Sequence, residues 1–164
     1  MTYIDLDGVL ANLSDYVLDK DSDAFESDSN FNIFAFDDYQ DLFLHSKPIE
    51  SNFVMLQSDY RVLTALPSIE AFIKFNKDRA SLSEILRRYQ ILRTNKVTWC
   101  KNHNIPVERL IIVNNRHEKL LYCTENDVLF DDYKPTVDEW TSKGGVAILI
   151  KSNSSVFESD QGDF

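Results

Sequence analysis

Short apolar runs recur along the chain, each bounded by polar or turn-forming residues. They occupy residues 2–6, 60–64, 110–113, 128–130 and 146–150. Runs of this length, rich in β-branched and aromatic residues, indicate β-strands. Each run is almost continuously apolar instead of alternating in polarity, which is typical of parallel strands covered on both faces. The pattern therefore predicts an α/β fold whose central parallel sheet has about five strands.

The segments between the runs carry the start and stop signals of helices. Ser81 and Glu84 have the spacing of a capping box and precede an amphipathic stretch. The other predicted helices cover 9–18 and 49–57, a segment after Pro67 and Ser68, a segment with Lys96, Trp99 and Cys100 that ends before Pro106, and one from Pro135 through Trp140 to Gly144. Because strands and helices alternate, we expect helices on both faces of the sheet.

The length of 164 residues suits one domain and is too short for two ordinary ones. We expect a single domain over 1–151, with a small cap inserted at about 12–57, and a polar tail at 152–164. Residues 19–28 are acidic and Ser-rich, which favours a solvated loop. The aromatic-rich span 31–45 is compatible with a lid over a pocket and equally with ordinary core.

Charge and composition exclude several classes of protein. The net charge of −10 and a pI near 4.7 argue against binding to a nucleic acid polymer, which needs clustered Lys and Arg. Cys100 and Cys123 lie far apart, so we expect buried reduced thiols and neither a disulfide framework nor a zinc site. No segment approaches the roughly 20 apolar residues that cross a bilayer, and Asp5 interrupts any signal-peptide pattern. We expect a cytoplasmic protein with no membrane partner.

Polar side chains stand where three of the predicted strands end. Asp5 and Asp7 end the first strand, Thr64 ends the second, and Asp131 with Asp132 ends the fourth. In an open parallel sheet, ligands bind beyond the carboxyl ends of the strands, so we expect these groups to meet there. Carboxylates gathered at one edge repel one another unless a cation is present, and hard oxygen ligands suit Mg²⁺. The sequence therefore predicts a magnesium site.

This ordered set of residues resembles the haloacid dehalogenase superfamily of phosphohydrolases, over roughly residues 2–151. The family's first, second and fourth motifs are matched by Ile4-Asp5-Leu6-Asp7-Gly8-Val9-Leu10-Ala11, Arg61-Val62-Leu63-Thr64-Ala65 and Val128-Leu129-Phe130-Asp131-Asp132. Within it, the chain more closely resembles the 5'(3')-deoxyribonucleotidases and their bacterial and phage relatives. That similarity is carried by Phe43 with Pro48, Thr64-Ala65-x-Pro67-Ser68, Lys96-x-x-Trp99, and Asp131-Asp132 through Trp140 to Gly144-Gly145. The resemblance implies a Rossmann-like fold with a small cap.

The resemblance also implies catalytic and phosphate-binding roles. Asp5 is expected to be the nucleophile, and Asp7 the general acid and base. The hydroxyl of Thr64 and the backbone amide of Ala65 are expected to hold phosphate oxygens. Phe43 is expected to lie near the base of a nucleotide.

The expected magnesium ligands are the Asp5 carboxylate, the backbone carbonyl of Asp7 and one acid of the Asp131–Asp132 pair. Asp132 is favoured over Asp131 as the direct ligand, although either acid could fill this role. Asp131 is expected to orient the phosphate-binding lysine.

That lysine must be chosen among three candidates. Lys119 is favoured, because it follows the third strand and stands shortly before the acidic fourth strand, as in the relatives. Lys96 and Lys101 are interpreted as residues of a solvated helix face, although Lys96 could reach phosphate from its helix. Arg116 is a weaker candidate for an additional phosphate contact.

Together these features predict a magnesium-dependent phosphomonoesterase that hydrolyses nucleoside monophosphates through an aspartyl-phosphate intermediate, like a 5'-nucleotidase. One alternative is the same chemistry on another small phosphoester, such as a sugar phosphate or a modified nucleotide. A second alternative is a non-catalytic nucleotide-binding module, against which the intact set of motif residues argues. A homodimer is compatible with the sequence, which does not determine the oligomeric state.

Overall fold

The computed structural model describes residues 1–20, 41–57 and 59–151. Residues 21–28 of the acidic stretch predicted to be a loop lie outside these residues, whereas residues 19–20 end a helix. Most of the aromatic-rich span and the polar tail at 152–164 also lie outside them, and the cap is described only in part. Within the described residues, every helix is too short or too polar to cross a membrane.

Seven strands are described, and five of them form one parallel sheet. In chain order they are β1 (Thr2–Ile4), β2 (Ala11–Asn12), β3 (Lys47–Pro48), β4 (Tyr60–Ala65), β5 (Leu110–Val113), β6 (Val128–Asp131) and β7 (Val146–Leu149). The parallel sheet has the order β5-β4-β1-β6-β7, so the predicted α/β fold with five parallel strands is confirmed. The chain first adds strands on one side of β1 and then on the other. This switch point at β1 is where open α/β sheets bind ligands.

The described helices connect these strands. They are α1 (Leu13–Lys20), α2 (Leu42–His45), α3 (Ile69–Asn76), α4 (Leu82–Asn102) and α5 (Lys134–Ser142), with 3-10 helices at Glu50–Leu56, Val107–Arg109 and Arg116–Tyr122. Two predicted helix starts are confirmed by their caps. The Ser68 hydroxyl accepts a hydrogen bond from the Ala71 amide at 3.1 Å, and the Ser81 hydroxyl accepts one from the Glu84 amide at 3.4 Å.

Two helix predictions need correction. The expected helix over 9–18 begins only at Leu13, because Ala11–Asn12 pairs antiparallel with Lys47–Pro48. The two helices expected after Ser81 are one continuous helix of 21 residues. Neither glycine nor proline interrupts this span, and the helix stops shortly before Asn104, which has a positive φ of 58°.

Apolar clusters cover both faces of the sheet. Ile4 and Val62 pack with Trp99 of α4 on one face. Tyr3 and Leu129 lie on the opposite face, because side chains alternate along a strand, and they pack with Trp140 of α5. The two cysteines are buried free thiols, as predicted. A further cluster joins α1 and α2 to α3 and α4, beside the carboxyl end of the sheet; its members include Leu13, Val17, Phe43, Phe72 and Leu92.

Candidate active site and metal centre

Two acids follow β1 and face different neighbours. The backbone amide of Asp5 donates to the Phe130 carbonyl at 2.8 Å, which ties the end of β1 to β6. The Asp5 carboxylate oxygen Oδ1 accepts a hydrogen bond from the Leu6 amide at 2.8 Å. Asp7, two residues later, lies toward β4, where its Oδ2 accepts a hydrogen bond from the Thr64 hydroxyl at 3.3 Å. The turn at Asp7 therefore gives the two carboxylates separate surroundings.

Lys119 lies between two of the predicted acids. Its Nζ is 3.0 Å from Asp5 Oδ1 and 2.7 Å from Asp131 Oδ2. The 3-10 helix Arg116–Tyr122 carries it, and all three side chains are buried. Burial lowers the pKa of Lys119, but the charges of Asp131 and Asp5 raise it more, so that the pKa lies above its usual value. Lys119 is therefore held as a cation between β1 and β6.

Lys96 is the functional candidate that the sequence interpretation ranked too low. It is fully buried, forms an ion pair with Asp7 Oδ2 and donates a hydrogen bond to the Thr64 hydroxyl at 2.8 Å. The interpretation of Lys96 as part of a solvated helix face is therefore wrong, whereas Lys101 is exposed as expected. The sequence held a signal, because Lys96 stands four residues after Leu92 and three before Trp99, on the buried stripe of α4.

The acids at the ends of β1 and β6 form a compact triad. Asp5, Asp131 and Asp132 each offer an oxygen, and these oxygens all lie within 4.8 Å of one another. Asp131 is already engaged, since its Oδ1 accepts from the Tyr133 amide at 2.9 Å and its Oδ2 from Lys119. Asp132 is the acid of the pair that these donors leave available to a metal.

Burial, together with the charges of Asp5 and Asp131, raises the pKa of Asp132 to about 8. When all three acids are ionised, they carry more negative charge than Lys119 balances. This surplus of negative charge fits a divalent cation with oxygen ligands. The carboxylate of Asp7 is engaged by Lys96 and stands apart from this triad of described residues. The expected use of its backbone carbonyl as a ligand stays a prediction.

Gly8 allows Asp132 to lie close to the turn that carries Asp5 and Asp7. Its φ is +74°, and a Cβ at this position would lie 1.8 Å from Asp132 Oδ2. Any other residue would strain the turn and also displace the carboxylate of Asp132. The glycine after the two acids therefore brings the β1 turn against the end of β6.

The surroundings of Asp7 suit an acid that carries a proton. Burial raises its pKa above the usual value, against the opposing charge of Lys96. Its Oδ1 is buried and has no hydrogen-bond partner among the described residues. One oxygen of Asp7 is therefore fixed by Lys96 and Thr64, while the other has no hydrogen-bond partner among the described residues.

The remaining predicted residues lie at or near this site. Ala65 ends β4 directly after Thr64, and its amide stays a predicted phosphate donor. Phe43 is buried, with its ring centroid 4.2 Å from the Nζ of Lys96. Arg116 forms an ion pair with Glu139 at 3.0 Å, and its expected phosphate contact stays a prediction.

Neither a protein-family model nor a curated protein sequence matches this chain. The resemblance to the haloacid dehalogenase superfamily therefore rests on the motif residues themselves.

Proposed function

We propose that this protein is a magnesium-dependent phosphomonoesterase that uses Asp5 as its nucleophile and acts on nucleoside monophosphates. One observation carries the proposal: the ends of β1, β4 and β6 gather an acid triad, an acid–threonine pair and two buried lysines in one place. The choice of nucleotides as the substrate class comes from the resemblance to the deoxyribonucleotidases.

Asp5 and Asp132 are the residues best suited to hold Mg²⁺, with Asp131 beside them. When bound there, the ion supplies screening between the anionic nucleophile and the anionic phosphate. Asp131 contributes mainly through Lys119, because both of its oxygens already accept hydrogen bonds.

The hydrogen bonds of Asp5 indicate which of its oxygens attacks. Both the Leu6 amide and Lys119 engage Oδ1, at 2.8 and 3.0 Å, which leaves Oδ2 outside these contacts. Asp5 Oδ2 forms the new bond to phosphorus as the bond to the ester oxygen breaks. The product of this step is an acyl phosphate on Asp5.

Asp7 moves the proton in both halves of the reaction. Protonated Asp7 donates from its unpartnered Oδ1 to the departing alkoxide, which leaves as an alcohol. Asp7, now a carboxylate, accepts a proton from the water that attacks phosphorus in the acyl phosphate. Inorganic phosphate is released, and the carboxylate of Asp5 is regenerated.

Charge on the transferred phosphoryl group is stabilised by preorganised donors. Thr64 and Lys96 lie on the Asp7 side of the site, and Lys119 lies on the Asp5 side. Because both lysines are buried, their attraction for phosphate oxygens is screened less than it would be at the surface. Such positioning supplies most of the catalysis in phosphoryl transfer.

The first experiment measures phosphate release from phenyl phosphate with Mg²⁺, with excess chelator, and with neither. The wild type and the matched surface variant Asp78→Asn are expected to release phosphate only with Mg²⁺, because Asp78 is an exposed acid outside the triad. Asp132→Asn is expected to be inactive. A wild type without magnesium-dependent release would refute the enzymatic proposal.

A substrate panel then tests the choice of nucleotides. Nucleoside 5'- and 3'-monophosphates are compared with sugar phosphates by kcat/KM. Nucleotides are expected to be hydrolysed with the higher kcat/KM, and equal or better hydrolysis of sugar phosphates would refute the substrate class while leaving the chemistry intact.

A further inference from the structure

The ammonium group of Lys96 has three N–H donors and three described neighbours. It is paired with the Asp7 carboxylate, bonded to the Thr64 hydroxyl, and 4.2 Å from the centroid of the Phe43 ring. Lys96 is 0% exposed and Phe43 is 4% exposed. A cation buried this completely needs a compensating partner for each donor, and the negative face of an aromatic ring is such a partner.

The ring of Phe43 is fixed by its own surroundings. Phe43 belongs to α2 and packs in the same apolar cluster as Leu92, which precedes Lys96 by one turn of α4. The residue after α2, Ser46, is bonded to α4 one turn beyond Lys96, since Trp99 Nε1 donates to the Ser46 carbonyl at 2.7 Å. Contacts on both sides of Lys96 therefore hold the ring over its ammonium group.

We propose that Phe43 is a positioning residue for the proposed phosphatase reaction: its ring face holds the Lys96 ammonium against Asp7 and Thr64. This inference rests on the proposed function of the same site. A lysine side chain is flexible, and its hydrated point charge has no fixed geometry of its own. An aliphatic residue of similar size would fill the space beside Lys96 without attracting the charge.

This role differs from the nucleotide-base contact expected from the sequence. A contact with the base affects only ligands that carry a base. Positioning of Lys96 affects every phosphate ligand, including inorganic phosphate. Binding of inorganic phosphate therefore separates the two roles.

The test replaces Phe43 with phenylalanines carrying one, two and three fluorine atoms, which weaken the negative ring face with little change in size. Phe43→Leu removes the ring, and Phe43→Tyr retains it. The matched control is Phe72→Leu, because Phe72 is buried in the same cluster but packs edge-on against Tyr89. The readouts are kcat/KM for phenyl phosphate, the inhibition constant of inorganic phosphate, and the melting temperature.

Each added fluorine is expected to lower kcat/KM and to raise the phosphate inhibition constant, with a total change of about tenfold at Phe43→Leu. Phe43→Tyr keeps the ring and is expected to change both constants less than Phe43→Leu does. Phe72→Leu is expected to lower the melting temperature without changing the inhibition constant. The fluorinated series keeps the test decisive if Phe43→Leu does not fold.

Two results would overturn the positioning role while the proposed function stands. One is a fluorinated series with constant kcat/KM and constant phosphate inhibition in an active enzyme. The other is a change in KM for nucleotides without any change in phosphate inhibition, which would indicate a base contact. A wild type without magnesium-dependent hydrolysis would overturn both the proposed function and this inference.

Discussion

Two buried lysines flank the site, and their surroundings differ. Lys119 stands on a short 3-10 helix and is shared by two buried carboxylates, Asp5 and Asp131. Lys96 comes from the long helix α4 and is paired with a single carboxylate, that of Asp7, whose side chain is 22% exposed. A charge shared by two buried acids is expected to contribute strongly to stability. A charge paired with one acid is expected to contribute less to stability, and in the proposed reaction it acts on Asp7, the proposed proton carrier.

The largest expected effect is that of Lys119→Met. The variant leaves two buried carboxylates without their cation, and breaking a buried ion pair in this way costs about 3–5 kcal/mol. We expect this loss in the free energy of unfolding measured with urea, together with loss of measurable phosphate release. Unchanged stability would show that Asp5 and Asp131 do not depend on Lys119 in the folded protein.

Lys96→Met is expected to lower activity strongly and stability only moderately. Lys96→Met leaves one carboxylate without its cation instead of two, so the loss of stability is expected to be smaller, about 1–3 kcal/mol. Phosphate release is expected to fall by about 100-fold or more, since one preorganised charge is lost. Urea unfolding and steady-state kinetics on both lysine variants check this, and a greater loss of stability than in Lys119→Met would contradict the comparison.

Asp132→Asn tests the metal site without removing either lysine. Mg²⁺ is expected to raise the stability of the wild type by about 2.7 kcal/mol at about 100 times its dissociation constant. The variant is expected to lose this rise and, without the ion, to be at least as stable as the wild type, because burial and the charges of Asp5 and Asp131 disfavour an ionised Asp132. Thermal unfolding with and without Mg²⁺ measures both effects, with Asp78→Asn as the control. A full magnesium response in Asp132→Asn would exclude Asp132 as a ligand.

The smallest change in stability is expected at an ion cluster on the surface, formed by Glu84 with Arg87 and Arg88. Hydrogen bonds from Arg87 and Arg88 lower the pKa of Glu84 to about 2. Because the folded-state pKa is lowered, the stabilisation is present above pH 4.5 and is lost as the pH falls through about 2. Glu84→Gln is expected to lower the melting temperature slightly at pH 7, and the difference from the wild type is expected to shrink on acidification. A difference that grows at low pH would contradict this sign.

The parallel sheet and the position of Lys119 could be predicted from the order of residues in the sequence. Continuous apolar runs predict parallel strands because both faces of such strands are covered, and the polar residues after β1, β4 and β6 then mark one edge. Lys119 could be placed near this edge because only a short segment separates it from β6. The helix caps at Ser68 and Ser81 could also be predicted, because each cap involves residues only three positions apart.

Lys96 was ranked too low because its residue type was weighed without its position on the helix. A lysine is usually exposed, but this one shares the buried stripe of Leu92 and Trp99. Its partners Asp7 and Thr64 are distant in sequence, so only the fold shows that they compensate the charge. The β2–β3 pair was missed for another reason, since two-residue strands are too short to show a periodic pattern.

In the proposed reaction, Asp5 forms the bond to phosphorus. Enzyme turning over phenyl phosphate with Mg²⁺ is quenched in acid, and peptide mass spectrometry locates the phosphoryl group. We predict a phosphorylated Asp5 in the wild type, no phosphorylated peptide in Asp5→Asn, and at least about a 1,000-fold loss of turnover in that variant. A phosphoryl group on another residue, or normal turnover by Asp5→Asn, would contradict the account.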